Sequence, residues 1–158
     1  MRWDMKALRK GLAGIVFFIA AGGAAQADPA GTGLEMSGVY AITDFAAAGV
    51  YSGEEEAEAR AFIGQFLTIH GDHVALPTGE LCHIESRQAR VLRNDRESFG
   101  SAGGSWSEIG LQRAPEGGYP VTEAQFDCGG PFFGLIAQPE TGRYLLSYWA
   151  VYLGLRRD

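Results

Sequence analysis

Stretches in which apolar and polar residues alternate recur along most of the chain. In the first of them, SGVYAITDF, Tyr40 and Ile42 share one face and the smaller residues between them fall on the other. This two-residue period is that of a β-strand. Six further segments of this kind follow, at 65–70, 73–76, 81–92, 105–112, 119–128 and 132–138. A last, aromatic-rich segment at 143–157 is long enough for two strands that meet near Trp149.

One segment has the pattern of a helix instead. Ser52 followed by Glu55 fits a capping box, in which each residue satisfies a backbone N–H of the other. Apolar residues then recur at helical spacing, and Gly64 stands where a left-handed residue ends many helices. The sequence therefore predicts a helix over Gly53–Ile63.

Turn signals separate the predicted strands at regular intervals. Gly71-Asp72 is a two-residue hairpin turn, and Gly- or Pro-containing tetrapeptides separate most of the other strands. Residues 94–105 are polar and glycine-rich, which predicts a loop. Short, evenly spaced strands with one early helix favour a mainly β protein, a small antiparallel β-barrel. We expect residues 37–158 to form this single domain.

The first 27 residues have the composition of a secretory signal peptide. A basic start is followed by an uncharged apolar run of about 15 residues and by Ala-Gln-Ala ending at Ala27. The run is shorter than the ~20 residues of a membrane-spanning helix. We therefore expect an exported protein, periplasmic or secreted, with no membrane span after cleavage. Residues 28–36 contain Gly and Pro without periodicity, which predicts a flexible N-terminal arm.

Removal of the leader would make the chain strongly acidic. The full chain has 13 Lys+Arg and 19 Asp+Glu; the leader holds four of the cations and one of the acids, which leaves 9 and 18, a net charge of about −9. Such a domain is repelled by phosphate backbones, so nucleic acid is not an expected partner. Four arginines recur at a spacing of three: Arg87, Arg90, Arg93 and Arg96. On a helix they would form one face that could bind an anion. On a strand they would form a salt-bridged surface, which is the favoured interpretation.

Two cysteines remain after the predicted cleavage, Cys82 and Cys128. In an oxidising compartment an even number of cysteines favours a disulfide. A reactive or metal-bound thiol is the alternative.

The three histidines are close together in the sequence and could form a metal site. If Gly71-Asp72 is a hairpin turn, His70 and His73 are cross-strand neighbours with Cβ atoms ~5 Å apart. His83 would be the third ligand and Asp72 the fourth if the next strand lies beside the hairpin. Copper or zinc would suit such ligands. The alternative, and the favoured interpretation, is that the histidines are solvated surface residues.

Catalytic motifs are missing from the sequence. No Gly-x-Ser-x-Gly elbow, phosphate-binding loop or dinucleotide fingerprint occurs. Acidic residues are numerous, but nothing singles out a pair for glycoside hydrolysis. We therefore expect a non-catalytic protein without a cofactor.

The aromatic C-terminal segment is a candidate binding surface. Tyr148, Trp149 and Tyr152 would either fill the barrel or remain exposed and contact a partner. Core packing explains most of the segment, and an exposed remainder would be an interaction surface.

The two ends of the predicted barrel resemble the calycin families. A Gly-x-aromatic on the first strand, Gly38 and Tyr40, and the arginines that end the last strand, Arg156 and Arg157, look like the residues that pack across the closed end of those barrels. Arg156 is the arginine expected to close the barrel. An exported eight-stranded barrel with one disulfide also resembles the Inh-type bacterial metalloprotease inhibitors. This resemblance implies that the arm, beginning at Asp28 and Pro29, inserts into a protease cleft.

These observations together favour an exported binding protein over an enzyme. The leading hypothesis is a protein-binding module, an envelope inhibitor or an accessory subunit of a larger complex. The alternatives are a small-molecule carrier that uses the barrel interior and a periplasmic metal binder that uses the histidines.

Overall fold

A computed structural model describes residues 36–93, 95–99 and 103–158 of the chain. The predicted signal peptide and all but the last residue of the predicted arm lie outside these ranges. Eight antiparallel strands close into a barrel in chain order, which confirms the predicted fold class. The strands are β1 (Gly38–Ala47), β2 (Phe66–His70), β3 (His73–Ala75), β4 (Leu81–Leu92), β5 (Tyr119–Asp127), β6 (Phe132–Gln138), β7 (Arg143–Tyr148) and β8 (Val151–Arg157).

The antiparallel order places the connections alternately at two ends of the barrel. The end called here the α1 end carries the helix α1 (Gly53–Ala61) between β1 and β2, and the turns at 76–80, 128–131 and 149–150. The Arg157 end carries the turn at 71–72, the 3₁₀ turn Pro139–Thr141 and the end of β8. In the described ranges no helix has the length and apolarity needed to cross a membrane.

Side chains fill the barrel interior. The exposed–buried alternation predicted from the sequence holds in β2, where Leu67 and Ile69 are 1% exposed. Burial of a side chain of this size stabilises the fold by about 1.5–3 kcal/mol. The largest buried interior side chains are Tyr40, Phe132, Ile42, Leu67, Ile69, Leu135, Leu146 and Leu153.

Helix α1 covers one end of this interior. The predicted capping box is present: the Ser52 hydroxyl accepts from the Glu55 N–H at 3.1 Å, and the Glu55 carboxylate accepts from the Ser52 N–H at 2.6 Å. The helix ends at Ala61 with Phe62 as its C-cap, two residues before the predicted end, and Gly64, with a φ of 90°, follows in the turn. Just beyond the helix, the Phe62 ring packs edge-on against Phe132 at 5.4 Å.

The connection between β4 and β5 differs from the prediction. Residues within the predicted loop form a short helix, α2 (Asp95–Phe99), and the predicted strand at 105–112 consists of turns. The predicted strand was wrong because its apolar residues do not alternate between two faces. Trp106, Ile109 and Leu111 are all buried on the outer wall of the barrel, against side chains of β4 to β8. A closed barrel also leaves no free edge with which this segment could pair.

Arg143 fastens this connection to the barrel. Its guanidinium donates to the Ile109 carbonyl oxygen at 3.1 and 3.0 Å and to the Asp44 carboxylate at 3.3 and 3.1 Å. Burial alone would raise the pKa of Asp44, but the hydrogen bonds from Arg143 and Thr43 outweigh it and leave that pKa lowered. The carboxylate lies over Gly154, where a Cβ would overlap its oxygens. The loop and three strands therefore meet at one charged contact.

The predicted disulfide joins Cys82 and Cys128. It links the start of β4 to the residue after β5 at the α1 end, with a Cα–Cα distance of 5.2 Å. Cys82 is 2% exposed and belongs to the interior core, so the link lies within the barrel wall.

Replacing both cysteines should weaken the fold without changing it. The link closes a loop of 46 residues, which the chain-entropy argument equates with ~4 kcal/mol of the free energy of unfolding. We expect Cys82→Ala/Cys128→Ala to lose about that amount in urea titrations, and the wild type in reductant to lose a similar amount. A loss below about 1 kcal/mol would show that the crosslink hardly constrains the unfolded chain.

Arg143→Lys should lower the free energy of unfolding by about 1–2 kcal/mol, because an ammonium group cannot reproduce the forked contacts to Asp44 and Ile109. Arg156→Lys is the matched control, since Arg156 is exposed and makes no ion pair with a described side chain. Urea unfolding of the two variants tests the prediction, and equal effects would contradict it.

Acid should remove the contribution of Asp44 to stability. Because its folded-state pKa is lowered from 3.8, the stabilisation is fully present above that value and is lost as the pH falls through the folded-state pKa. We expect Asp44→Asn to be less stable than the wild type at pH 7 and the difference to narrow below pH 3.8. Thermal unfolding between pH 7 and acid measures this, and a gap that is independent of pH would refute the assignment.

Candidate functional site

The turn between β7 and β8 has an unusual residue at its tip. Tyr148 pairs with Val151, which leaves Trp149 and Ala150 as a two-residue turn. Among the described residues Trp149 is the one non-glycine with a positive φ, 46°. Two-residue hairpins favour such a conformation, but Gly, Asn or Asp normally provides it. For a bulky residue the left-handed region costs roughly 1–2 kcal/mol.

Trp149 displays its ring to solvent beside a second aromatic residue. Trp149 is 52% exposed and Phe133, the second residue of β6, is 49% exposed. The two rings meet edge-to-face with centroids 5.7 Å apart. The backbone N–H of Trp149 also donates to the Pro131 carbonyl oxygen at 3.0 Å, which joins the hairpin to the neighbouring loop. Trp149 and Phe133 are called the aromatic tip below.

The base of the aromatic tip is rigid. Tyr148 is buried, its ring packs against Phe62 and Phe132, and its hydroxyl donates to the Glu58 carboxylate at 2.7 Å. Burial and, after it, the hydrogen bond and negative charge of Glu58 raise the pKa of Tyr148 to about 12. The hydroxyl is therefore protonated at neutral pH and holds α1 against β7 directly beneath Trp149.

The three predicted partner-binding aromatics lie in different environments. Tyr148 is in the interior and Trp149 is exposed, whereas Tyr152 packs on the outer wall against Phe99 and Trp106. Burial, with a smaller effect of the nearby Glu123 carboxylate, raises the pKa of Tyr152 to about 12. The other predicted partner-binding residues, Asp28 and Pro29, lie outside the described residues.

Sequence reasoning missed Phe133 as a member of the aromatic tip. The signal for it was the pair Phe132-Phe133 directly after Gly-Gly-Pro, because adjacent strand residues face opposite sides. Phe132 is 1% exposed and fills the interior, so Phe133 must face outward. Its contact with Trp149 depends on the pairing of β6 with β7, which the sequence did not specify.

Negative charge surrounds the α1 end. Three glutamates occupy the first turn of α1, and Glu58 follows on the same helix: Glu54, Glu55, Glu56 and Glu58. Among the described side chains Arg60 is the one arginine of this end; it pairs with Glu56 at 2.9 Å, and its guanidinium lies 4.8 Å from the centre of the Phe45 ring. The aromatic tip therefore stands beside an acidic helix.

The three histidines lie in one row on the outer wall of β2, β3 and β4. His70 pairs with His73, and His73 pairs with His83. The row continues into β5, where His83 pairs with Asp127. All four residues are exposed, and the His73 and His83 rings are stacked with centroids 5.5 Å apart.

Asp72, the fourth predicted ligand, has other contacts. Its carboxylate pairs with Arg87 at 2.9 Å, and its carbonyl oxygen accepts from the Ile84 N–H at 2.8 Å. Arg87 also donates to the Gly71 carbonyl oxygen. These bonds fix the β2–β3 turn to β4 and leave the Asp72 carboxylate engaged.

One group of three His, Cys, Asp or Glu side chains in the described ranges has ligand atoms that all lie within 4.8 Å of one another. It consists of Glu80, Cys82 and Cys128, and both of its sulfurs are used by the disulfide. The histidine row does not form such a group with its side chains as they stand, so a site there needs side-chain rotation.

At the Arg157 end, Arg157 rather than the expected Arg156 contacts Gly38, and both arginines are exposed. The Arg157 guanidinium donates to the Ser37 carbonyl oxygen at 2.7 Å and lies against Gly38, where a Cβ would be 3.0 Å from its Nε. Tyr40 is fully buried beside it, and its hydroxyl donates to the Met36 carbonyl oxygen at 2.8 Å. Arg156 is exposed and pairs with Ala41.

An open groove of about 360 Å³ lies near the Arg157 end, away from the aromatic tip. It lies between β4, β5 and the β6–β7 connection and has no aromatic residue in its wall; its lining is Ala89, Pro120, Val121, Thr122, Gln138, Pro139 and Glu140. Its size suits a small ligand, although it does not enter the packed interior.

Comparison of the chain with protein-family models, with curated proteins and with solved structures gives no match.

Proposed function

We propose that this protein is an exported, non-catalytic binding module that recognises another protein through the aromatic tip at its α1 end. The observation that carries the proposal is Trp149, an exposed indole in a left-handed turn where a smaller residue would be less strained. Residues held in costly backbone conformations concentrate at functional sites.

The fold itself does not require tryptophan at this position. Asn or Gly would form the same turn without the penalty, and neither would expose a large apolar ring to water. The contact with Phe133 offsets the strain by only about 0.5–1.5 kcal/mol. Tryptophan is also the residue type most enriched among those that dominate protein–protein affinity. Binding of a partner therefore explains this residue better than folding does.

The acidic helix beside the tip indicates the kind of partner. Negative charge from Glu54 to Glu58 favours a surface that offers an apolar pocket surrounded by arginine or lysine. Charges of this kind accelerate association and weaken in effect as salt rises. An inhibited enzyme or a larger envelope assembly could each provide such a surface.

Export to the periplasm or beyond is part of the proposal. The disulfide supports it, because such bonds persist in oxidising compartments and are rare in the cytosol. The closed eight-stranded barrel supports the resemblance to the calycins at the level of architecture. An inhibitory role like that of the Inh-type proteins is the finer form of the proposal.

The carrier alternative has less support. Large side chains occupy the barrel interior, so the space that favours a carrier is the open groove near the Arg157 end. That groove holds Thr122, Gln138 and Glu140 as polar groups, and the Gln138 side chain is already bonded to the backbone of Gln112.

Trp149→Asn should weaken partner binding strongly while leaving the fold intact. Asn tolerates the left-handed region, so we expect the free energy of unfolding to stay within about 1 kcal/mol of the wild type. Loss of a central tryptophan should weaken binding by at least ~2 kcal/mol, or about thirtyfold. The partner is identified by crosslinking in an envelope extract, purified, and titrated against both proteins by calorimetry.

Val39→Asn is the matched control for this experiment. Val39 is 42% exposed near the start of β1, so Val39→Asn removes an exposed apolar side chain, although a smaller one, at the opposite end of the barrel from the tip. Wild-type affinity in Val39→Asn and its loss in Trp149→Asn would support the proposal. Equal affinity of wild type and Trp149→Asn for every partner recovered would end it.

A further inference from the structure

We infer that His73, His83 and Asp127 form a binding site for a divalent transition-metal ion of the Cu²⁺ and Zn²⁺ class on the outer wall of the barrel. The inference does not depend on the proposed protein partner, since the row lies on β3, β4 and β5 and the aromatic tip lies on β6 and the β7–β8 turn. This ligand set differs from the one expected from the sequence, because Asp127 takes the place of Asp72 and His70 is not required.

The backbone places His73 and His83 as close as two strands allow. The Ile84 N–H donates to the Asp72 carbonyl oxygen, and these two residues flank the His73–His83 pair. In an antiparallel ladder this makes the pair a non-hydrogen-bonded one, with Cα atoms only about 4.5 Å apart and the side chains close together. The stacked rings, 5.5 Å apart, reflect that spacing. Two imidazoles on rigid neighbouring strands can clamp one ion.

Asp127 is the best third ligand in the row. It is the register partner of His83, on the side away from His73, and it is exposed on the same face. Its carboxylate supplies negative charge that two neutral imidazoles lack, which favours a divalent cation. Asp72 cannot serve in the same way without breaking its pair with Arg87. His70 offers a further nitrogen across the turn but no charge.

Side-chain rotation alone would complete the site. The ligand atoms of the row are not gathered as they stand, but exposed side chains change rotamer within nanoseconds and no strand has to move. Three protein ligands leave at least one position for water. The ion would therefore be bound reversibly at the surface, and copper would bind more tightly than zinc.

The test is calorimetric titration of Cu²⁺ and Zn²⁺ into the folded, disulfide-bonded protein without an affinity tag. We expect one ion per chain, and a loss of about tenfold or more in affinity for both His73→Asn and His83→Asn. Asp127→Asn should weaken binding several-fold. His70→Asn is the matched control, a histidine of the same row whose loss should change affinity less than about threefold. Far-UV circular dichroism verifies that each variant is folded.

Electron paramagnetic resonance of the Cu²⁺ form provides a readout besides affinity. Two imidazole nitrogens should couple to the copper in the wild type and in His70→Asn, and one in His83→Asn. Unchanged affinity in the His73→Asn/His83→Asn double variant would overturn the site. A larger loss in His70→Asn than in His83→Asn would overturn it as well, and full affinity in Asp127→Asn would refute the third ligand.

Discussion

The pairing of β8 with β1 closes the sheet, and the position of each candidate binding residue depends on that closure. Closure gives every strand a neighbour on both sides, so no long apolar edge remains unpaired. It also fixes which side chains face inward, because each register is tied to the next around the barrel. Tyr40 faces Arg157 across this seam, while Asp44 reaches over Gly154. Loss of the seam would separate both contacts.

The outer wall of the closed barrel has a covered part and an exposed part. Part of the outer wall of β5 to β8 is apolar, and the β4–β5 connection covers it with Trp106, Ile109 and Leu111; the covered residues include Val121, Ile136 and Leu145. Arg143 holds that cover in place. On β2 to β4 none of the described residues forms such a cover, and the outward residues include the three histidines. The covered wall therefore adds apolar burial to the barrel, whereas the histidines are exposed.

The sequence predicted what local patterns determine. Alternation gave most strands, the capping box gave α1, and the cysteine count with an exported context gave the disulfide. The sequence could not determine what depends on register or on irregularities. The register of β1 with β8, which shifts at a bulge between Ile42 and Asp44, places Arg157 opposite Tyr40 and Arg156 opposite Ala41.

The same limits explain the candidate sites. The parity of the aromatic residues changes across the Trp149-Ala150 turn, so Tyr148 and Tyr152 lie on opposite faces although they are four residues apart. Asp127 could not be placed beside His83 without the β4–β5 register, since 44 positions separate the two residues in the sequence. Trp106 was assigned to a strand because the sequence does not show that eight other strands already close the barrel. The segment that contains Trp106 packs on the outer wall instead.

The two candidate surfaces differ in what holds them, and this makes them separable. The aromatic tip rests on Tyr148, whose ring packs with the interior and whose hydroxyl is bonded to Glu58. The side chains of the histidine row are exposed on their strands and can change rotamer. An indole anchored on a packed base suits a partner that must recognise one shape, because less conformational entropy is lost on binding. Exposed imidazoles that can turn suit an ion that imposes its own geometry. The disulfide belongs to the histidine row, since Cys82 and Cys128 directly adjoin His83 and Asp127 in the sequence and tie β4 to the end of β5.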